Sequence, residues 1–137
     1  HVVPHCDSRE TYRGILGGKA SAVFNGRVHV HPDAQRTDAQ QSNQNLLLTD
    51  DAIIHTKPEL EIYADDVKCT HGATVGQLDR EALFYLRSRG LAYDEARRML
   101  VDSFAAEIVR RINDESLRDE LAETVIARLP EMLAETA

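Results

Sequence analysis

The hydrophobic pattern of the chain changes near residues 76–78, and this change does most to limit the folds open to it. Before it, apolar residues alternate with polar ones, as in a β-strand; after it, they recur every three or four residues, as on a helix. All six histidines, both cysteines and six of the seven glycines precede the change. The sequence therefore predicts a mainly β part at residues 1–78, followed by a small helical C-terminal domain at residues 79–137.

Many short strands are expected within residues 1–78. Residues 28–31 (VHVH) and 60–64 (LEIYA) alternate strictly, and turn residues separate such runs. The polar run TDAQQSNQNLLL at 37–48 holds Gln and Asn residues that would stack as amide ladders between successive rungs of a solenoid. A β-helix is therefore favoured over a sandwich. The lack of a strict six-residue register argues against a hexapeptide left-handed β-helix.

Three amphipathic helices are predicted within residues 79–137. The first is capped by Asp79 and stops at Gly90. The second runs from about Tyr93 to Ile112, and the third from near Asn113 or Asp114 to Pro130. Their expected buried faces are, in order, Leu83 and Leu86; Tyr93, Ala96, Leu100, Phe104, Ile108 and Ile112; and Leu117, Leu121, Val125 and Leu129.

Charge and composition exclude several classes of protein. A net charge of −7 argues against a nucleic-acid surface, which needs clustered Lys and Arg. No apolar run approaches the roughly 20 residues needed to span a bilayer. The opening HVVPHC lacks the features of a signal peptide, so we expect the chain to come from the middle of a longer protein. Two cysteines far apart predict reduced thiols in the cytoplasm.

The sequence carries no familiar catalytic signature, such as a glycine-rich phosphate loop or an H-E-x-x-H motif, so no enzymatic activity is expected. Two residue pairs could still bind a metal. His29 and His31, and likewise Cys69 and His71, are two residues apart and would share one face of a strand. Imidazole and thiolate suit iron and zinc. The alternatives are a solvent-exposed histidine pair, and a packed cysteine beside a turn-capping histidine. A partner chain would have to complete the Cys69–His71 site.

The segment FYLRSRG is a candidate partner-binding surface. It places Phe84 and Tyr85 beside Arg87 and Arg89, and aromatic and arginine side chains are enriched at interface hot spots. Phe104, on the second predicted helix, is a further candidate contact. A solvated helix end with arginines near its C-terminus explains the same segment without a partner. Both interpretations stay open on the residues alone.

Residues 57–76, KPELEIYADDVKCTHGATVG, resemble the SufB/SufD family of iron–sulfur cluster assembly scaffolds, and within it the SufD branch. Three other segments resemble the same branch in the same order: AVFNG at 22–26, NLLL at 45–48 and FYLRSRG at 84–90. The resemblance covers nearly the whole chain, as the last third of a SufD-type protein. It implies a right-handed parallel β-helix, a solenoid, followed by a helical C-terminal domain.

The resemblance also implies a function. A SufD-type scaffold pairs with a SufB-like paralogue through the β-helices, binds a SufC-like ATPase through its helical domain, and forms homodimers when alone. His71 matches the family position that faces a SufB cysteine, so it would help to hold iron or a nascent iron–sulfur cluster there. No cofactor is expected to stay tightly bound to the isolated chain. The resemblance gives no role to His29, His31 or Cys69.

Two other functions are weighed against the scaffold. A stand-alone metal-binding β-solenoid would store or deliver iron or zinc through the histidine-rich half, and stoichiometric metal on the isolated chain would favour it. A solenoid acyltransferase would use a histidine as base, but it requires a regular hexad register that the sequence lacks.

Overall fold

A computed structural model describes residues 1–134. Its elements are the strands β1 Asp7–Leu16, β2 Ser21–Val30, β3 Asp38–Leu47, β4 Ile53–Ile62 and β5 Lys68–Gly76, and the helices α1 Arg80–Ser88, α2 Tyr93–Val109 and α3 Glu115–Ala134. The predicted order of a mainly β part and then a helical part is confirmed. The last three residues of the predicted helical domain, 135–137, lie outside the described residues.

The chain divides into two compact units whose boundaries follow the fold rather than the sequence order. The first unit comprises His1–Gly14, Ser21–Asn45 and Ile54–Val75, and the second Ile15–Ala20, Leu46–Ile53 and Gly76–Ala137. The second unit thus contains the helices together with two short segments from the β part. The division of the sequence into domains at residue 78 stays a prediction.

The strands form two parallel sheets, with the orders β1-β3-β5 and β2-β4. The backbone bonds that flank them run from Asp38 N to Cys6 O (2.9 Å), Leu48 N to Leu16 O (2.7 Å), Ile53 N to Ala20 O (2.9 Å) and Tyr63 N to Val30 O (2.9 Å). In each pair of strands the partners advance along the chain in the same direction, which is the parallel arrangement. Each strand therefore pairs with the strand two positions away rather than with its neighbour in sequence.

Apolar side chains from both sheets form the core of the first unit. Its buried members are Val28, Val30, Ala34, Ala39 and Ala64, with Leu60, Val67 and Cys69 packed against them. Alternation in β2 explains this choice, because Val28 and Val30 face inward while His29 is exposed. The predicted alternation of the VHVH run is thereby confirmed.

Further along β3 the buried positions are polar. Gln41, Asn43 and Asn45 are each less than a twentieth exposed, as the inward alternation of the strand requires. Asn45 Nδ2 donates to Asn43 Oδ1 (2.6 Å), and Thr56 Oγ1 donates to the same oxygen (2.7 Å). The expected ladder of amides between rungs is therefore wrong in detail. Glu10 on β1 offers a carboxyl group and Thr56 on β4 of the other sheet offers a hydroxyl group, so the amides bond to those groups and to each other.

Helix α2 buries only part of the face that was expected to be buried. Ala96 is buried as expected, but the other buried residues of α2 are Arg97, Val101, Ala105 and Val109, and Tyr93, from the predicted face, is 50% exposed. Leu100 and Phe104, from the expected face, are half-buried beside them. The core formed here contains Leu46, Val101, Ala105 and Leu129.

The helix ends follow local chemistry in most cases. Asp79 Oδ1 accepts bonds from Glu81 N (2.8 Å) and Ala82 N (3.2 Å), and Gly90 has a φ of 97°, so the predicted cap and stop of α1 are confirmed. The expectation that the third helix ends at Pro130 is wrong, because α3 continues to Ala134. Proline removes one backbone donor but does not by itself end a helix.

No helix within residues 1–134 is long and apolar enough to cross a membrane.

Burial of the expected α3 stripe is uneven, which gives a first testable prediction. Leu129→Ala should lower the free energy of unfolding by about 2–5 kcal/mol, because Leu129 is 3% exposed within the core of the second unit. Leu121→Ala is the matched control on the same helix, and since Leu121 is 36% exposed it should cost less than about 1 kcal/mol. Urea unfolding followed by helical circular dichroism measures both. Equal costs would contradict the packing of α3.

Candidate functional site

His71 lies on β5, an edge strand of the three-stranded sheet. Cys69 is partly buried and packs against the core of the first unit. His71 is two residues further on and therefore lies on the same face of the strand. All residues from 70 to 76 are exposed, however. The face that is covered at Cys69 is thus uncovered from His71 onward, and we call His71, Ala73 and Val75 the uncovered face of β5.

The uncovered face of β5 has the character of an incomplete interface. Val75, an apolar side chain on this face, is 47% exposed. An edge strand also carries backbone N–H and C=O groups that can pair with a further strand. Within residues 1–134 no group of three or more His, Cys, Asp or Glu side chains is arranged to hold a metal ion. His71 therefore offers one ligand on an open face, and further ligands would have to come from another chain.

His29, on β2, and His31, directly after the end of β2, lie on one face, as their spacing predicts. Their rings stack with centroids 4.5 Å apart and an interplanar angle of 15°. Lone pairs on imidazole nitrogens lie in the plane of the ring, so two rings stacked face to face do not direct their nitrogens at one ion. His29 Nδ1 is instead 3.9 Å from Glu61 Oε2. The pair has the geometry of a surface stack rather than of a metal site.

Charges on the outer face of the β2–β4 sheet compensate each other. Arg27 contacts Glu59 (3.4 Å) and Glu61 (3.1 Å), and Lys57 Nζ is 2.8 Å from Glu59 Oε1. The hydrogen bond from Lys57 holds the pKa of the Glu59 carboxyl below its ordinary value, and the positive charges of Lys57 and Arg27 add to this, although partial desolvation opposes it. The alternating signs leave no concentrated charge to attract a ligand here.

Aromatic and arginine side chains surround α1 at the surface of the second unit. Phe84 is 75% exposed and Tyr85 is 56% exposed. The guanidinium carbon of Arg89 lies 5.0 Å from the centroid of the Tyr85 ring, and that of Arg87 lies 5.7 Å from the centroid of the Tyr93 ring. These are cation–π distances. We call these five residues the α1 patch.

The structure changes the composition of this predicted surface. Phe104 packs against the core of the second unit, so its use in partner binding stays a prediction separate from the α1 patch. Tyr93 was assigned to a buried face by its helical spacing but lies exposed beside Arg87. Helical spacing does not predict the contact between Arg87 and Tyr93, because the two residues lie on opposite sides of the turn at Gly90.

Comparison with known proteins adds a family and several relatives. The family described as SUF system FeS cluster assembly, SufBD core domain, matches residues 1–104. The chain is 48% identical to the iron–sulfur cluster assembly protein SufD of Escherichia coli over 130 residues, which is 95% of this chain and 31% of that protein. It is 49% identical over 125 residues, or 91% of the chain, to an iron–sulfur cluster assembly SufBD family protein of Synechocystis, of which it covers 28%. The chain therefore spans about a third of the length of these relatives.

Proposed function

The chain belongs to the SufBD family of the SUF iron–sulfur cluster assembly system, and from this premise we propose that it forms part of a SufD-type scaffold subunit. The strongest support is the similarity to the SufD of Escherichia coli over 95% of the chain. The subunit is a cytoplasmic, non-catalytic scaffold that works inside a larger complex. Its two cysteines are free thiols, in keeping with a reducing compartment.

A SufB-like paralogue pairs with this subunit along β5. The observation that carries this step is the uncovered face of β5, where a histidine and an apolar valine lie exposed on an edge strand. A strand of the partner that continues the sheet would satisfy the free backbone groups and cover Val75. The same edge would mediate a homodimer when the paralogue is absent.

His71 contributes a ligand to iron or to a nascent cluster at this boundary. The iron and the cluster are cargo that the complex builds and hands on, so the isolated chain binds no cofactor tightly. Imidazole is a suitable ligand for iron, and a thiolate from the partner would add a soft ligand suited to Fe–S chemistry. Completion by a second chain agrees with the open position of His71.

The helical part binds a SufC-like ATPase through the α1 patch. The exposed rings of Tyr85 and Tyr93 are already held against arginines, so they can fill pockets on a partner with little loss of side-chain entropy. In the fold that we propose, the alternating strands form a right-handed parallel β-helix. About 98% of connections between parallel strands of one sheet have this hand.

Formation of a complex with the two partners tests the proposed scaffold function. A charged residue introduced on the uncovered face of β5 tests whether the paralogue binds there. The full-length gene product, co-expressed with a SufB-like paralogue and a SufC-like ATPase, should elute with both. Val75→Lys should abolish elution with the paralogue, because it buries an uncompensated charge at the interface. Val23→Lys is the matched control, since Val23 is an exposed valine on β2 and should keep the complex intact.

The opposite result would favour the stand-alone metal-binding solenoid. In that case the wild-type chain would form no complex with either partner. The purified protein alone would carry stoichiometric iron or zinc by elemental analysis.

A further inference from the structure

The amide of Gln41 is buried on the inner face of β3 with only one end bonded. Gln41 is 3% exposed, and its Nε2 donates to Glu10 Oε2 at 2.9 Å. Its Oε1 is buried and has no hydrogen-bond partner among the residues that the structure describes. A buried carbonyl oxygen without a donor is destabilising, so its neighbourhood is where a donor should be sought.

Two contacts limit where the amide of Gln41 can lie. A Cβ placed on Gly26 would lie 2.8 Å from Gln41 Nε2 and 3.0 Å from Gln41 Oε1, so both ends of the amide lie against the Gly26 backbone. Nε2 is directed to Glu10 on β1. The two ends of an amide diverge from one carbon, so Oε1 is directed away from β1. Because β3 lies between β1 and β5, a donor for Oε1 should be sought on β5.

Strand register identifies the residue on that side. Lys68 N donates to Thr37 O at 2.8 Å, and regular parallel pairing from this bond places His71 beside Gln41. Adjacent strands are about 4.8 Å apart, which allows side chains at paired positions to bond directly. Glu10, Gln41 and His71 therefore occupy one row across three strands, which we call the inner row.

We infer that Gln41 is a positioning residue for His71: rotation of the exposed His71 side chain towards the sheet brings one ring N–H to Oε1, which then accepts a hydrogen bond, while Glu10 fixes the other end of the amide. A neutral imidazole with one nitrogen bonded as a donor has its lone pair on the other nitrogen. That nitrogen is then free to bind iron at the uncovered face of β5, which is how supporting groups orient metal-binding histidines. The ligand role of His71 rests on the proposed function, but the hydrogen bond does not.

Nuclear magnetic resonance of histidine ring nitrogens tests the hydrogen bond in the full-length protein. The ¹⁵N shifts of His71, assigned with His71→Asn, should show one fixed tautomer in the wild type at mildly alkaline pH. Gln41→Leu should move both shifts towards the average of two exchanging tautomers. Gln40→Leu is the matched control, because Gln40 is the preceding residue on the strand but is exposed, and it should leave the shifts unchanged. Identical His71 shifts in the wild type and in a folded Gln41→Leu protein would overturn the inference.

A double exchange separates positioning from a loss of packing. Glu10→Gln combined with Gln41→Glu retains one amide and one carboxyl group in the inner row, and still presents an oxygen to His71. It should restore the single tautomer that Gln41→Leu loses. If the double exchange behaves like Gln41→Leu, the row does not position His71 and the inference fails.

The iron–sulfur cluster content of the assembled complex tests whether positioning of His71 by Gln41 serves the proposed function. Gln41→Leu should weaken iron binding about 10–100-fold, the usual effect of losing a group that supports a ligand. If His71→Ala leaves the cluster content unchanged, the ligand role of His71 is wrong, and the ring-nitrogen shifts still decide the hydrogen bond. If His71→Ala removes the cluster but Gln41→Leu changes neither cluster nor shifts, only the positioning role is wrong.

Discussion

His71→Ala is expected to lower the iron and acid-labile sulfide in the assembled complex by at least about tenfold, at unchanged yield of the complex. Loss of a group that merely supports a metal ligand costs about 10–100-fold in affinity, and loss of the ligand itself should cost no less. Yield should be preserved because His71 is exposed, so the substitution removes no packing from the core of the first unit. The measurement is iron and sulfide content per complex after co-expression with both partners.

His55→Ala is the matched control for this experiment. His55 is also an exposed strand histidine, but it lies on β4 rather than on the uncovered face of β5. It should leave the cluster content at the wild-type level. If His71→Ala does the same, His71 contributes only to the shape of the interface, and the role of the subunit is confined to holding its partners together.

Replacement of Phe84 and Tyr85 by alanine is expected to weaken binding of the ATPase subunit by at least about 2 kcal/mol, or roughly thirtyfold in Kd. Both rings are more than half exposed, so they contribute little to the fold while offering large contact areas to a partner. The stability of the chain should therefore change little. Isothermal titration of the full-length protein with the ATPase subunit measures the loss, and circular dichroism checks the fold.

Tyr63→Ala provides the comparison for this second experiment. Tyr63 is 60% exposed, close to the 56% of Tyr85, but it lies in the first unit, where its ring contacts His29. Its loss should not change the affinity for the ATPase subunit. Equal affinities for the wild type and the Phe84→Ala, Tyr85→Ala protein would mean that the arginines near Gly90 belong to a solvated helix end, the alternative that the sequence leaves open.

Patterns among residues close together in the sequence predicted much of the fold and part of the candidate site. The switch from a period of two to a period of three or four predicted the order of strands and helices. Asp79 and Gly90 predicted both ends of α1, because a cap depends only on residues within one turn. The strand spacing of His29 and His31 predicted their common face. The long motif at residues 57–76 indicated the family that the comparison then showed.

Contacts between distant residues decided the rest. Pairing of each strand with the second strand along, and so the inner row of Glu10, Gln41 and His71, follows from hydrogen bonds between segments that no local pattern connects. The prediction of the buried face of α2 was wrong in part for the same reason, since Ala96 is buried as expected but Leu100 and Phe104 are only half-buried. Large apolar residues predict which side of a helix is hydrophobic, but contacts with a neighbour decide which side is buried, here the side with Val101, Ala105 and Val109. The periodicity of apolar residues can be read from a single segment. Burial and strand register depend on contacts between two segments, and only the tertiary structure brings those segments together.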